Sequence, residues 1–390
     1  MRVAFAMIDC NRRDGHARAV TEVAERLGRR GYDVHLYART AENIDLNIVK
    51  WHAIPGLRNP ELANFWTYQK LADIAIARQK FDIIHSVGPN TRLANVVSIQ
   101  NIQPAKAIVL GPLGSKEKVS RLRRFSRALY YRVTTREEKK LFENTKRKTP
   151  LCFLPVSVGV ERELRRHYGI GNAMVRIIPN AADTSVFYPR NQEVRDAWRQ
   201  ANNVPTDATL AIFSGGEWTR KGLELAIHSM AMVHDKNFHL FVAGDDPDRK
   251  RYKQLAIDSG VANRVLFGGF RSDIALAMAA SDLFLFPSYY EAFSLASIEA
   301  AACGLPIIAS KINGTEDFIQ PGITGEFIPH DASGIATVLN RLLADRIGMR
   351  QMGMIARDSV WKEYTWDRVT VLTEQAYEAT LSGTQGLQAG

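Results

Sequence analysis

The stretch Thr209–Ile227, TLAIFSGGEWTRKGLELAI, decides how the chain is read. Its first five residues are apolar or β-branched and suit a buried strand. SGG then breaks the pattern, and LELAI resumes it at helical spacing. A strand, a glycine turn and a helix in that order make half of a βαβ unit. Gly215 and Gly216 allow backbone to approach a phosphate closely, while Arg220 and Lys221 bring two positive charges to the same turn. Each charge-assisted hydrogen bond to a phosphate oxygen is worth about 1.5–3 kcal/mol, so two such side chains decide whether a diphosphate binds. The competing reading is two solvated cations at a helix start, and the surrounding sequence has to separate the two.

Working outward, the same alternation recurs in FHLFVAG, RVLFGG, DLFLFPS and LPIIAS. Each strand candidate ends in glycine, serine or proline, where an α/β sheet places its ligand-binding loops. An earlier set comprises VAFAM from Val3, VHLY from Val34, FDIIH from Phe81, NVVSI from Asn95, LCFLP from Leu151 and VRIIP from Val175. The expected fold is α/β, with two Rossmann-like doubly wound domains facing across a cleft. A length of 390 residues suits two such cores. The boundaries are expected at 1–184 and 185–365, with the amphipathic stretch 366–382 able to pack back on the first domain. The tail GTQGLQAG is expected to fray.

Composition excludes the unusual classes: 46% hydrophobic and 24% charged residues are ordinary for a globular protein. Cys10, Cys152 and Cys303 form neither a metal-ligand spacing nor a disulfide framework, which fits a reducing, cytoplasmic setting. The N-terminus reads as a first strand rather than a signal peptide, and no run reaches the ~20 apolar residues of a membrane span. The net charge of +10 is concentrated in Lys116–Lys148, which holds 13 basic and 4 acidic residues. Such a segment implies an anionic partner. Within it Val119, Leu122, Phe125, Leu129 and Val133 share one helical face, opposite Arg123, Arg124 and Arg127. The helix either packs on its own domain with a solvated basic face or lies on an anionic membrane.

A second stretch, PSYYEAFSLASIEAAACGLPIIAS, carries Glu291 and, eight positions on, Glu299. Pro287, Ser288, Tyr289 and Tyr290 mark a loop, and Ser294 is a good N-cap for LASIEAAA. The helix start would expose N–H groups around Phe293, Ser294 and Leu295, a ready phosphate site. A lone glutamate is usually a surface residue. On so apolar a helix, however, the Glu299 carboxylate has to be paired or to hydrogen-bond a ligand.

In this order and spacing the pieces resemble glycosyltransferase family 4, the retaining family with the GT-B fold. The carriers are GHARAVTEVAERLGRRGYDVHLY, RIIPNAADTSVFYP, GGEWTRKGL, VLFGGF, EAFSLASIE followed by ACGLPII, and YTWDRV. The resemblance covers almost the whole chain. It implies a nucleoside diphosphate sugar as donor, Arg220 and Lys221 on its diphosphate, Glu299 on the ribose and Glu291 near the reacting carbon. It also implies retention of configuration without a metal or other cofactor, and a glycan or lipid-linked acceptor as in bacterial lipopolysaccharide and glycolipid synthesis; no nucleic acid is expected, since the chain has no aromatic-studded RNA motif or DNA-reading signature. Arg271, after VLFGGF, falls in the region that meets the base. Where members carry Gly-Gly near the N-terminus this chain has Asp14-Gly15, and Gly15 can still serve. Where many have a histidine near the reacting centre it has Asn101, which cannot act as a general base. Asp14, His16 or the donor phosphate would then take the acceptor proton. His85 matches a common family position and reads equally as a site residue or a satisfied core histidine.

Asp246-Pro247-Asp248, with Asp245 beside it, imitates an Asp-x-Asp metal signature, but it sits in a loop between a strand and a helix. Two other function classes compete. A nucleotide-sugar 2-epimerase of the same fold would need acid–base groups at the sugar C2 and no acceptor. A basic nucleic-acid-binding module has only the charge in its favour. A dinucleotide dehydrogenase is disfavoured because DCNRRDGHAR offers no G-x-G-x-x-G.

Overall fold

The computed structural model describes residues 1–12, 15–57, 60–114, 121–143, 151–171 and 173–388; the side chains of 16, 110–114, 121–127 and 384–388 fall outside that description. The chain divides into two compact units, residues 1–180 with 366–390, and 181–365. The division precedes position 184 because Ala182 is tied to the far end of the second unit. Its N–H donates to the Tyr364 carbonyl at 3.0 Å, and it bridges Thr365.

The first unit is built on a parallel sheet with strand order Lys50–Ala53, Asp33–Ala38, Arg2–Ala6, Ile83–Val87, Val96–Ile99, Cys152–Pro155 and Met174–Val175. Lys50–Ala53, KWHA, escapes a sequence reading because it is a largely exposed edge with no apolar alternation. Helix Trp366–Gln388 belongs to this unit and lies along Gly15–Arg29, with ion pairs Arg26–Asp367 and Arg30–Glu374. Helix Arg121–Phe142 turns Thr134, Glu137, Glu138 and Leu141 inward. On the face read from the sequence, Leu129 is exposed and Val133 half-buried, while Val119 and the side chains of Leu122, Phe125, Arg123, Arg124 and Arg127 lie outside the described residues.

His85 is a core residue of this unit. It is 4% exposed, its Nδ1 lies 2.6 Å from the Tyr377 hydroxyl and its Nε2 2.6 Å from the Ser98 hydroxyl. Burial holds its pKa down at about 3. A histidine whose pKa is lower folded than unfolded stabilises the fold above its unfolded value near 6.5, and that contribution disappears as pH falls toward 3. Melting curves between pH 7 and pH 4 are therefore expected to lose stability steeply in the wild type and less steeply in His85→Gln. Equal slopes would remove His85 from the acid response.

The second unit has a six-stranded parallel sheet in the order Val265–Gly269, Phe238–Ala243, Thr209–Ser214, Leu283–Phe286, Ile307–Ser310 and Gly325–Ile328. In chain order this is 3-2-1-4-5-6, the doubly wound arrangement. Its four central strands are buried on both faces, which is why they read as continuous apolar runs. Between strands Thr209–Ser214 and Leu283–Phe286 the winding reverses direction, so their following loops diverge and leave room at the carboxyl ends.

Candidate functional site

The two loops at that reversal are SGGEWTRKG, which carries Arg220 and Lys221, and PSYYEAFS, which carries Glu291 and leads into the helix that carries Glu299. Gly215 leaves the strand at φ +119°, and its N–H donates to the Ala243 carbonyl at 2.8 Å. A β-carbon there would collide with the Lys221 side chain, so the glycine makes the space the lysine occupies. Gly216 is tight against the Asp245 carbonyl, 3.0 Å from where its β-carbon would stand. The short helix Trp218–Lys221 then brings both cations to the loop mouth.

Arg220 is held on all three guanidinium nitrogens. Nη1 donates to the Tyr290 carbonyl at 2.7 Å and to Glu291 Oε1 at 2.6 Å, while Nε and Nη2 donate to Glu217 Oε2 at 3.0 and 2.6 Å. Burial opposes its charge, but the Glu291 and Glu217 carboxylates outweigh that and lift its pKa. Its carbonyl accepts the Tyr289 N–H at 2.9 Å, which locks the two loops together. Lys221 differs. Its Nζ donates one long bond to the Ser214 carbonyl at 3.3 Å, sits 5.1 Å over the Phe286 ring and makes no ion pair among the described residues. Loss of hydration pulls its pKa down. A half-buried ammonium with spare donors is a site for an anion.

The Ser294 hydroxyl accepts the Ser297 N–H at 3.2 Å and caps helix Leu295–Ala302 as its sequence predicts. Phe293 is buried against the Phe318 and Tyr364 rings, at 6.2 and 6.0 Å between centroids. Glu299 is 7% exposed, and its charge is felt by the Lys221 ammonium and the Cys303 thiol. Arg271 follows the edge strand Val265–Gly269, gripped by Asp273 at 2.7 and 2.6 Å and lying 5.7 Å from the Trp198 ring. The structure thus brings Gly215, Gly216, Arg220, Lys221 and Glu291 into one cluster. Arg271 sits at a different strand end.

The aspartates of the imitation metal motif serve the turn. Asp246 accepts the Trp218 N–H through Oδ2 at 2.9 Å and the Asp248 N–H through Oδ1 at 2.9 Å. Asp245 pairs with Arg249 at 3.6 Å. No group of three metal-ligating side chains is gathered among the described residues.

In the first unit Gly15 opens helix Gly15–Arg29 and is exposed. Asp14 and the side chain of His16 lie outside the described residues. Asn101 follows strand Val96–Ile99, and its buried Oδ1 meets no hydrogen-bond donor among the described residues. The same holds for Oε1 of Gln103, a residue the sequence reading missed. Glu138 underpins this turn: it accepts the Gln103 N–H and the Tyr168 hydroxyl at 2.5 Å, and burial pushes its pKa up to about 7. Only its tertiary surroundings reveal it, because its neighbours on the helix are Glu137 and Lys139.

Two sequence-family models match. Residues 13–186 fit "Glycosyltransferase Family 4" and residues 194–359 fit "Glycosyl transferases group 1". The chain is 34% identical over 207 residues to N-acetyl-alpha-D-glucosaminyl L-malate synthase of Bacillus anthracis, covering 53% of this chain and 54% of that one. It is 29% identical over 187 residues to lipopolysaccharide glucosyltransferase WaaG of Escherichia coli, 46% of this chain and 50% of that one. It therefore spans about half the length of the curated relatives it matches. Among solved structures, that of WaaG superposes with a TM-score of 0.77 over 96% of this chain and 98% of the other at 22% identity. Anabaena Alr3699/HepE in complex with UDP-glucose gives 0.72 over 98% and 100% at 18% identity. These two are likenesses of fold.

Proposed function

We infer from glycosyltransferase family 4, to which the chain belongs, that it moves a sugar from a nucleoside diphosphate sugar to an acceptor hydroxyl. The observation that carries this reading is Lys221: a desolvated ammonium at a sheet's winding reversal, with no ion pair among the described residues. The donor diphosphate lies against Lys221 and Arg220 and the backbone of Gly215 and Gly216. The first-turn N–H groups of Phe293, Ser294 and Leu295 face phosphate, Glu299 takes the ribose hydroxyls, and Arg271 borders the base. Fixed positive charge there favours departure of the diphosphate, so no metal cofactor is needed. Glu291 touches the sugar.

Attack comes from the same face as departure, with retention. Asn101 orients the acceptor hydroxyl, whose proton goes to the donor phosphate, Asp14 or His16. A polyhydroxylated acceptor supplies the donors that the amide oxygens of Asn101 and Gln103 lack among the described residues. The 2-epimerase reading loses its ground, because both matching family models are of glycosyltransferases. Incubating the protein with UDP-, GDP- and ADP-sugars and a glycan acceptor in excess chelator tests the proposal. The expected product keeps the donor's anomeric configuration at undiminished rate. Inversion, or activity restored only by magnesium or manganese, would refute the mechanism.

The acceptor we propose is a bacterial cell-surface glycan or glycolipid, reached from the inner face of the cytoplasmic membrane. No helix among the described residues is long and apolar enough to cross a membrane. Support for peripheral attachment comes from the basic composition of 116–148, in which Leu129 is exposed, and from exposed Ile108 and Val109 earlier in the chain. Co-sedimentation at low salt is expected to be greater with anionic than with neutral vesicles; equal sedimentation would end the membrane reading.

A further inference from the structure

Glu217 is the one residue of the Gly215–Lys221 turn that is both left-handed and not glycine, at φ +52° and ψ +51°. The other non-glycine residues with positive φ among those described are Asn43 and Asn203, and asparagine adopts that region more readily than glutamate. A non-glycine residue persists there only where the surroundings demand it. Its carboxylate covers the Nε–Nη2 edge of Arg220 through one oxygen, at 3.0 and 2.6 Å. The side chain of Glu217 is 69% exposed, against 16% for Arg220 and 14% for Glu291.

These contacts rank the two carboxylates on Arg220. Glu291 is half-buried and also accepts from the Ser288 hydroxyl at 3.4 Å. Glu217 is the solvent-facing one, on the edge of the guanidinium that an incoming anion reaches first. With the Nε–Nη2 edge of Arg220 on Glu217 and Nη1 on Glu291 and the Tyr290 carbonyl, a diphosphate gains bidentate contact only by displacing one of these acceptors, and the exposed Glu217 carboxylate yields at least cost.

We propose that Glu217 is a built-in competitor for the donor diphosphate: its carboxylate occupies the phosphate-binding edge of Arg220 in the ligand-free protein and swings out when the diphosphate arrives. It acts through Arg220 as a positioning residue, keeping the arginine extended into the site and weakening retention of the nucleoside diphosphate product. This rests on the donor-site reading above.

Calorimetric titration of the full chain with UDP, GDP and ADP, and with uridine, guanosine and adenosine, tests it. Glu217→Gln removes the charge and keeps the shape, and it is expected to bind the preferred diphosphate more tightly by up to about fivefold, the upper end of an exposed ion pair. Nucleoside affinity should stay constant. Glu217→Gly, which also relieves the backbone, should tighten diphosphate binding by a similar factor. Unchanged or weaker diphosphate affinity in Glu217→Gln overturns the proposal, as does tightening confined to Glu217→Gly or shared equally by the nucleosides. Lys221→Ala in the same series separates the two levels. If it loses affinity while Glu217→Gln changes nothing, the donor site stands and the competitor falls; if it too binds normally, the donor site falls as well.

Discussion

Lys221→Ala is expected to lower kcat/KM by about a thousandfold while leaving the fold intact. The ammonium supplies charge-assisted hydrogen bonds of about 1.5–3 kcal/mol each to the bound diphosphate, a factor of roughly 10 to 150 in affinity. Negative charge grows on the leaving diphosphate as the glycosidic bond breaks, and removal of one preorganised donor to such charge costs about 10²–10³ in kcat. The folded protein loses little, because the side chain contributes one 3.3 Å bond to the Ser214 carbonyl and a contact with the Phe286 ring. Arginine is no substitute, since a planar guanidinium fork does not reproduce the compact point charge of an ammonium. The lowered pKa adds a signature: the ammonium deprotonates at a lower pH than an ordinary lysine, so donor affinity should fall as pH rises toward 10. In Lys221→Ala that alkaline loss should vanish. A folded variant with unchanged affinity for UDP, GDP and ADP would end the donor-site assignment.

How much of this was legible in the sequence follows from where the determining interactions lie. TLAIF, FHLFV and LFLF are buried on both faces of a parallel sheet, so local composition alone marks them as strands. Ser294 and its helix are legible for the same reason, because a cap bonds to a residue three positions away. KWHA and Gly325–Ile328, GEFI, are short edges whose strand character comes from a neighbour distant in the chain. The pairing of Arg220 with Glu291 spans 71 positions, and Glu217 advertises neither its left-handed backbone nor its grip on Arg220. Residue types at the site could thus be named in advance, but their state of engagement could not. The same limit separates Asn101, which the resemblance to family 4 singled out, from Gln103, whose buried amide oxygen only the packed structure shows, and from Glu138, which packing brings to the Gln103 N–H.

Asp282→Ala, at the opposite end of the same strands, should do the reverse of Lys221→Ala: it should unfold the second unit readily without touching donor affinity. Asp282 Oδ1 accepts from Arg195 Nη2 at 2.7 Å, and Oδ2 accepts from Arg199 Nη2 at 2.8 Å and the Leu210 N–H at 2.8 Å. Arg199 is 3% exposed and spends its other donors on the carbonyls of Ala280, Thr206 and Ala208. Deleting the carboxylate strands a buried guanidinium and a strand-initiating N–H, a change that costs about 3–5 kcal/mol; the lower figure applies because the Asp282 side chain is 18% exposed. In a unit of this size that corresponds to a fall in Tm of roughly 6–12 °C. Arg199→Met in the Asp282→Ala background should recover part of the loss, since an apolar chain of similar length needs no counter-charge. Diphosphate affinity below the transition should match the wild type. The contrast follows from how a doubly wound sheet divides labour: the amino ends of its strands are sealed by fully engaged charge networks, whereas at its carboxyl ends Lys221 is held with donors to spare. A Tm within a degree of wild type would show that helix Gln192–Ala201 is anchored by its apolar contacts alone.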